Sequence, residues 1–170
     1  VEVQTGSSSS ASQEFIELAN NSSSSVDVSE WRVEYYSASQ KTFDTASRVM
    51  PLHGIVPAGA HYLLASTGYL VGNANDSFSA GLAANGGHLR LIGKDLSGKE
   101  FISDLVGWGT ATLPESAPAP AAAAGQSINR KINSEDKFID THNNQADFSM
   151  ESPSPEGFVR QVDQPDENGS

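Results

Sequence analysis

Short runs in which apolar and polar residues alternate recur along the chain, and this is the pattern of half-buried β-strands. The pattern is clearest in residues 14–31, EFIELANNSSSSVDVSEW. Ile16 and Leu18 point to one side of an extended strand, and Phe15 points to the other. A strand with apolar groups on both faces is expected in the interior of a sheet rather than at its edge. Asn and Ser residues then favour a turn, and a second extended segment carries Trp31.

The same alternation predicts further strands before and after this stretch. The predicted extended segments are residues 1–4, 14–18, 26–36, 61–65, 88–92, 101–108, 127–132 and 147–150. Residues that favour turns separate them, including a proline-glycine turn over residues 56–59 and a hairpin turn over residues 95–99. Because no long stretch has a helical repeat, the sequence predicts an all-β fold, an antiparallel β-sandwich.

Three longer stretches between the strands are predicted to be surface loops. They are residues 37–50, residues 67–84 and the Pro- and Ala-rich residues 113–125. We expect Phe43 to tuck beneath the first loop, and the third can hold one helical turn at residues 121–124. The chain after the third loop is too short for a second core, so residues 1–158 are predicted to form one domain. Residues 159–170 are acidic and contain proline, which predicts a disordered tail.

The two tryptophans receive different predictions. Trp31 lies in an alternating segment, as a core residue of a sandwich does, and we expect it in the core. Trp108 stands between Gly107 and Gly109, which permit either a bulge or the close approach of a ligand. For Trp108 a core position and an exposed binding position both remain open.

Four segments resemble the lamin tail domain, in the order and spacing of that family. They are EFIELANN, VDVSEWRVE, GIVPAGAHYLLAS and LRLIGKDLSGKEFISDLVGWG, and they span residue 14 to about residue 108. The later segments NRK, DTHNNQADF and SPSPEG resemble the closing part of bacterial exported members. The resemblance implies an immunoglobulin-like sandwich that docks proteins, nucleic acid or other macromolecules, often beside an exported nuclease, phosphoesterase or other hydrolase.

Charge and composition narrow the classes of partner. The formal net charge is −11, and the ten Lys and Arg residues are spread along the chain. Such a surface repels nucleic acid phosphates, and Arg130-Lys131 is the only adjacent basic pair. The chain has no cysteine, no apolar run long enough to span a membrane and no visible signal peptide, so we expect a fragment of a longer exported protein.

Candidate catalytic chemistry is weak in this sequence. Ser, His and Asp are all present, but no Gly-x-Ser-x-Gly motif places a nucleophile. The four histidines have no short metal-ligand spacing between them. The glycine-rich residues 81–87 precede a strand and lack a following helix or lysine, so a turn is favoured over a phosphate site. The sequence therefore predicts a protein without enzymatic activity.

The segment DTHNNQADF is a candidate calcium loop. Asp140, Asn144 and Asp147 supply oxygen atoms at spacings typical of half of a calcium-binding loop. His142 stands where a second oxygen ligand is usual, and no Glu closes the loop. The alternative is a turn in which Asp and Asn side chains bond the backbone and direct Phe148 into the core. Both interpretations are kept.

Together these features predict a non-catalytic interaction or adhesion module of an exported or cell-surface bacterial protein. Its partner would be a protein or another cell-surface macromolecule, bound through loops and strand edges by a monomeric domain. Direct nucleic acid binding is one alternative, which the charge opposes. An accessory role beside an exported hydrolase or nuclease is the other.

Overall fold

Two β-sheets pack face to face in the computed structural model, which describes residues 1–158. The strands are β1 (Glu2–Gln4), β2 (Phe15–Ala19), β3 (Val26–Asp27), β4 (Arg32–Ser37), β5 (Arg48–Pro51), β6 (Ile55–Val56), β7 (His61–Ser66), β8 (Asp76–Phe78), β9 (Gly86–Lys94), β10 (Glu100–Gly109), β11 (Ser127–Arg130) and β12 (Phe148–Glu151). One sheet has the order β12-β11-β1-β2-β7-β8 and the other has the order β10-β9-β4-β5. The strands β3 and β6 form a separate ribbon, and among the twelve described strands every pairing except β7 with β8 is antiparallel. The predicted all-β, immunoglobulin-like antiparallel β-sandwich is confirmed.

The core lies between the two sheets and follows the alternation of the sequence. Ile16 on β2 is opposite Leu64 on β7, and both are at most 2% exposed. On the facing sheet, Val33 and Tyr35 of β4 point into the same core. Enclosing an aliphatic or aromatic side chain of this size stabilises a fold by about 1.5–3 kcal/mol. The central position predicted for β2 is confirmed, since it pairs with β1 on one side and β7 on the other.

The structure places the two tryptophans in different surroundings, and for Trp108 it selects the core position of the two that the sequence left open. Trp108 is fully buried, donates its Nε1–H to the Ala83 carbonyl over 3.0 Å and stacks on Tyr35. Gly87 lies against both rings, where an added Cβ would approach Tyr35 to 2.6 Å. Trp31 is only partly buried against the core. A turn after β3 places it just before β4 begins, so the predicted core position is met only in part: Trp31 packs against the core without being enclosed by it.

Residues 152–158 cross the outer face of the six-stranded sheet and bury two glutamates. The Ser154 backbone N–H and hydroxyl donate to the Glu2 carboxylate over 2.9 and 3.1 Å. The Glu156 N–H donates to Glu17, which also bonds His61 Nδ1 over 2.7 Å. Carboxylates that face outward on β1 and β2 are thus only 2% and 3% exposed. The alternation predicts that these positions face away from the core, but it does not reveal that a later segment covers them.

Two predictions about the loops need correction. Residues 121–124 are not helical, and the one short helix of the described residues is α1 (Asn144–Asp147). Residues 113–125 are not simply a surface loop, because Ala119 pairs with β10 and is 1% exposed. Phe43 does fold back as expected, and its ring contacts the rings of Tyr36 and His88 at centroid distances of 4.9 and 5.5 Å.

The described residues hold no helix with the length and apolar character needed to span a membrane. The predicted disordered tail, residues 159–170, lies outside the described residues.

Candidate functional site

The strand β10 forms one edge of the four-stranded sheet, and its C-terminal half is covered. The Asn144 side chain bonds it like a short strand, with Nδ2 donating to the Leu105 carbonyl over 3.0 Å and Oδ1 accepting from Gly107 N–H over 2.8 Å. The Ala119 backbone then pairs with Gly107 and Gly109 over 2.8 Å at each bond. These contacts satisfy backbone groups that an edge strand otherwise exposes.

The N-terminal half of β10 lacks such a cover. Within residues 1–158, nothing pairs with the outer edge of residues 100–103. Phe101 and Ile102 there are 42% and 57% exposed, although both are large apolar residues. Ser103 is an extra residue in the register between Ile102 and Asp104, which makes it a β-bulge. The bulge ends the free edge and places Ser103 at the mouth of a cavity.

This cavity opens between the two sheets and has a volume of about 250 Å³. Leu18 and Ala19 of β2 line one side, and Leu91 of β9 lies opposite them. Val28 and Trp31 close the end near the ribbon. Its polar rim is formed by Asn20, Asn21, Ser22 and Ser103. An apolar floor with a polar rim is the usual construction of a binding pocket, and this one has room for one or two side chains.

A second depression of about 200 Å³ adjoins the cavity and shares Leu18, Leu91 and Ser103 with it. It ends at Asp104, Arg130 and Asp140, where the surface is charged. We use the name inter-sheet cleft for the two depressions together with the free edge of residues 100–103. The cleft is the candidate functional site, because it joins an apolar floor to an edge strand.

The basic residues beside the cleft are paired with carboxylates. Arg130 bonds both oxygens of Asp104 over 2.7 and 2.8 Å. Arg32 contacts the Glu100 carboxylate over 2.7 Å, and Lys94 lies 3.1 Å from Glu30. The local charge is therefore not positive.

Two carboxylates that form no ion pair with any described residue, Asp27 and Asp95, stand near the Trp31 end of the cleft. Hydrogen bonds from Ser29 lower the pKa of Asp27, and hydrogen bonds from Ser97 and the Lys99 N–H lower the pKa of Asp95. Both groups line a shallow depression that includes Trp31, so this end of the cleft carries negative charge at neutral pH.

The structure places the predicted calcium residues in hydrogen bonds rather than around one point. Asn144 is fully buried, and its Oδ1 accepts from the N–H groups of both Gly107 and Glu115. Asp147 is also fully buried and accepts bonds from Thr141. Burial acts to raise the pKa of Asp147, but the bonds from Thr141 and from the Asn143 N–H outweigh it and lower the pKa. These contacts match the Asx-turn alternative, and the geometry of Asn144 and Asp147 does not favour calcium.

Asp140 lies apart from that pair and is brought together with Glu115 and His142. The His142 Nδ1 atom lies 3.4 Å from the Glu115 carboxylate and 3.8 Å from that of Asp140. One ligand atom from each of the three falls within 4.8 Å of the others. If a cation binds this part of the chain, these three residues are the set that could hold it. Burial raises the pKa of Glu115, and Arg130 lies 3.7 Å from Asp140, and both features oppose tight binding.

The other histidines make contacts that support the fold. His88 is fully buried, with Nδ1 donating to the Ser37 carbonyl over 3.1 Å and Nε2 accepting from Leu113 N–H over 3.0 Å. The hydrogen bond to Glu17 raises the pKa of His61. His53 Nδ1 lies 3.0 Å from Asp76.

Sequence reasoning placed the partner site on loops and strand edges in general and did not find the inter-sheet cleft. Its floor residues alternate as ordinary core residues do, so the sequence cannot separate a closed core from an open one. The adjacent pair Phe101 and Ile102 is a signal of the uncovered edge that the sequence does contain. Neighbouring residues of one strand point to opposite faces, so one of these two large apolar side chains must point away from the core.

The fold and the cleft together define an immunoglobulin-like β-sandwich with an open apolar site between its sheets. The profile of the Lamin Tail Domain family matches residues 1–110. The chain belongs to the lamin tail domain family. It is an immunoglobulin-like, non-catalytic family whose members commonly mediate protein interactions. No curated protein matches the chain significantly.

Proposed function

We propose that this domain is a non-catalytic interaction module of an exported or cell-surface bacterial protein, and that it binds a protein partner. The observation that carries the proposal is the inter-sheet cleft, where an apolar floor, Trp31 and an uncovered strand edge lie together. Partner proteins commonly use such sites by burying an apolar anchor and pairing backbone groups. The family is consistent with this role, because its members commonly mediate protein interactions.

The arrangement of basic residues favours a protein partner over nucleic acid. Arg130, half of the only adjacent basic pair, has a side chain that is 3% exposed and held by Asp104. Lys131 donates its Nζ protons to the Ala146 carbonyl over 2.6 Å. A phosphate backbone needs several available cations, and this pair does not supply them.

Site-specific cross-linking tests the proposed function. A photoreactive amino acid is placed at Ser103, at the cleft mouth, and separately at the exposed Ser39 as a matched control. Each domain is incubated with cell-surface and culture-medium proteins of the source bacterium, and cross-linked species are separated by mass. We expect a discrete protein adduct from position 103 and none from position 39. The absence of a protein adduct from both positions would contradict the proposal.

The absence of catalysis is tested separately with esterase, phosphatase and nuclease substrates. We expect no turnover above that of a mock purification. Turnover that co-purifies with the domain and is lost in a substituted variant would refute this part of the proposal.

A further inference from the structure

We propose that the inter-sheet cleft binds an extended, positively charged peptide segment that inserts one large apolar side chain between the sheets and pairs with the edge of β10. This inference rests on the proposed function, because it specifies the chemistry of the protein segment that the domain would recognise. Three independent features of the cleft define that chemistry: its floor, its edge and its charge.

The floor requires an apolar side chain. The cavity of about 250 Å³ reaches the buried residues Val28 and Leu52, and Leu18 and Leu91 complete its walls. The polar groups near it are confined to the rim, where Asn20 already bonds the Ser24 and Val56 carbonyls. A polar side chain that entered the cavity would lose its water without gaining partners, whereas a Leu- or Phe-sized group would bury its surface.

The edge requires an extended backbone. Residues 100–102 of β10 offer backbone groups that no described segment pairs, directly beside the cavity mouth. A peptide that adds to this edge as a strand places alternate side chains on opposite faces, so one of them can point towards the cavity. The bulge at Ser103 and the cover supplied by Asn144 limit the pairing to a few residues. The inserted side chain must therefore supply much of the affinity.

The charge requires a basic segment. The domain carries a formal net charge of −11, and Arg32, Lys94 and Arg130 beside the cleft each have a carboxylate partner. Asp27 and Asp95 remain as carboxylates near the Trp31 end. Complementary charge raises the rate of association and selects between partners more than it raises affinity.

Charge also selects among the occupants that the chain itself could provide. A second copy of the domain would bring the same net charge of −11 to the interface. Residues 159–170 contain three acidic residues and a single Arg, so they are not the basic segment that the cleft requires. A basic segment of another protein is the occupant that these charges favour.

Fluorescence anisotropy with short labelled peptides tests the inference on the whole chain. The probe is a fluorescein-labelled seven-residue peptide, KVKLKVK. The controls are EVELEVE, which reverses its charge, and KVKGKVK, which removes its central apolar side chain. We expect KVKLKVK to bind at least about tenfold more tightly than either control, which corresponds to about 1.4 kcal/mol. No detectable binding of KVKLKVK, or equal binding of all three peptides, would overturn the inference.

Two sets of variants locate the binding. The substitution Ser103→Trp is designed to plug the cavity mouth, and Ser39→Trp is its control on an exposed loop. We expect Ser103→Trp to weaken KVKLKVK binding about tenfold and Ser39→Trp to leave it unchanged.

The double substitution D27K/E30K reverses charge near Trp31 without changing the cavity mouth, and D44K/E151K reverses the same amount of charge elsewhere on the surface. Weaker binding is expected only for D27K/E30K, and equal effects of the two doubles would contradict a charge-selective cleft.

Failure of this inference can be told apart from failure of the proposed function. If the cross-linking finds a protein partner that Ser103→Trp still binds, the interaction role stands and the cleft proposal falls. If the peptide binds as expected but no protein partner is found, the cleft proposal stands and the proposed function falls. Concentration-dependent dimers that Ser103→Trp dissociates, measured by sedimentation, would identify a second copy as the occupant and overturn the proposal.

Discussion

At the scale of single residues, the surroundings of a side chain decide its role more than its sequence neighbours do. Trp108 has glycines on both sides, yet it is the largest fully buried side chain. Trp31 has regular alternation around it, yet it lies at the rim of the core. Sequence periodicity predicts which face of a strand a residue occupies, but not how far along the sandwich that face remains covered.

The two tryptophans should therefore differ in their contribution to stability. We predict that Trp108→Ala lowers the free energy of unfolding by about 3–5 kcal/mol, because it leaves a cavity and a lost Nε1 hydrogen bond. Trp31→Ala should cost roughly half as much, since its surface is only partly buried. Urea denaturation followed by circular dichroism measures both. Equal losses for the two variants would contradict the assigned environments.

His88 gives the domain a pH-dependent stability with a definite sign. Burial lowers its pKa below the ordinary value of 6.5, and its two ring nitrogens already bond Ser37 and Leu113 as a neutral imidazole. At pH values between the lowered pKa and 6.5, His88 is therefore protonated in the unfolded chain and neutral in the folded chain. The stability contribution is present above 6.5 and is lost as the pH falls through that range.

We predict that the free energy of unfolding falls as the pH is lowered from about 7 to 5, and that His88→Gln reduces this fall. His61 has the opposite sign, since its bond to Glu17 raises its pKa and stabilises the fold at low pH. The comparison of wild type with His88→Gln isolates the buried histidine, and His61→Gln serves as the control. An unchanged pH dependence in His88→Gln would refute the argument.

At the scale of elements, the strands were predictable and their covers were not. The positions of β2, β7, β9 and β10 follow from alternation and turn residues, which act locally. By contrast, Asn144 covers the edge of β10 from 37 residues away, and Ser154 caps Glu2 from 152 residues away. Such contacts depend on where a later segment crosses the sandwich, and no local pattern encodes that path.

The side chain of Asn144 should contribute more to the free energy of unfolding than that of its neighbour Asn143, although both are amides in the same turn. The buried Asn144 side chain donates to the Leu105 carbonyl and the Glu115 carboxylate and accepts from the N–H groups of Gly107 and Glu115. Asn143, in contrast, caps the start of the short helix α1. We predict that Asn144→Ala costs about 2–4 kcal/mol, because buried backbone groups of β10 lose their partner. Asn143→Ala should cost about 1 kcal/mol, as a lost cap does.

Hydrogen exchange distinguishes the edge role of Asn144 from a general loss of stability. The Gly107 amide bonds Asn144 Oδ1, so its exchange should accelerate more in Asn144→Ala than that of amides in β2. Uniform acceleration across both sheets would show that Asn144 supports the whole fold and not the edge in particular.

The same contacts set an expectation for calcium. The side-chain oxygens of Asn144 and Asp147 already accept hydrogen bonds from backbone N–H groups. We therefore predict that a millimolar concentration of a calcium chelator leaves the melting temperature unchanged. Differential scanning fluorimetry with chelator and with added calcium makes the measurement. A melting temperature that falls with chelator and recovers with calcium would restore the calcium interpretation, and its loss in Glu115→Gln would place the ion at Glu115, Asp140 and His142.

At the scale of the whole molecule, the sandwich separates a covered face from an open one. Residues 152–158 bury the outer side of the six-stranded sheet, where Glu2 and Glu17 hold them. The inter-sheet cleft, in contrast, keeps an apolar floor in contact with the surface. The fold class could be predicted from the sequence because it depends on many local signals. The open site could not, because it is defined by what the other segments of residues 1–158 leave uncovered.

The net charge predicts that the domain does not bind nucleic acid. With a net charge of −11 and Arg130 bonded to Asp104, the described residues do not offer the cluster of available cations that phosphate binding needs. We predict no retarded band in a gel-shift experiment with double- or single-stranded DNA, even at low salt where electrostatic binding is strongest. A basic DNA-binding protein serves as the positive control. The variant D104N/D140N, which leaves Arg130 without its carboxylate partners, tests whether those carboxylates are the cause. DNA binding by the wild-type domain that weakens with added salt would contradict the argument and return nucleic acid to the candidate partners.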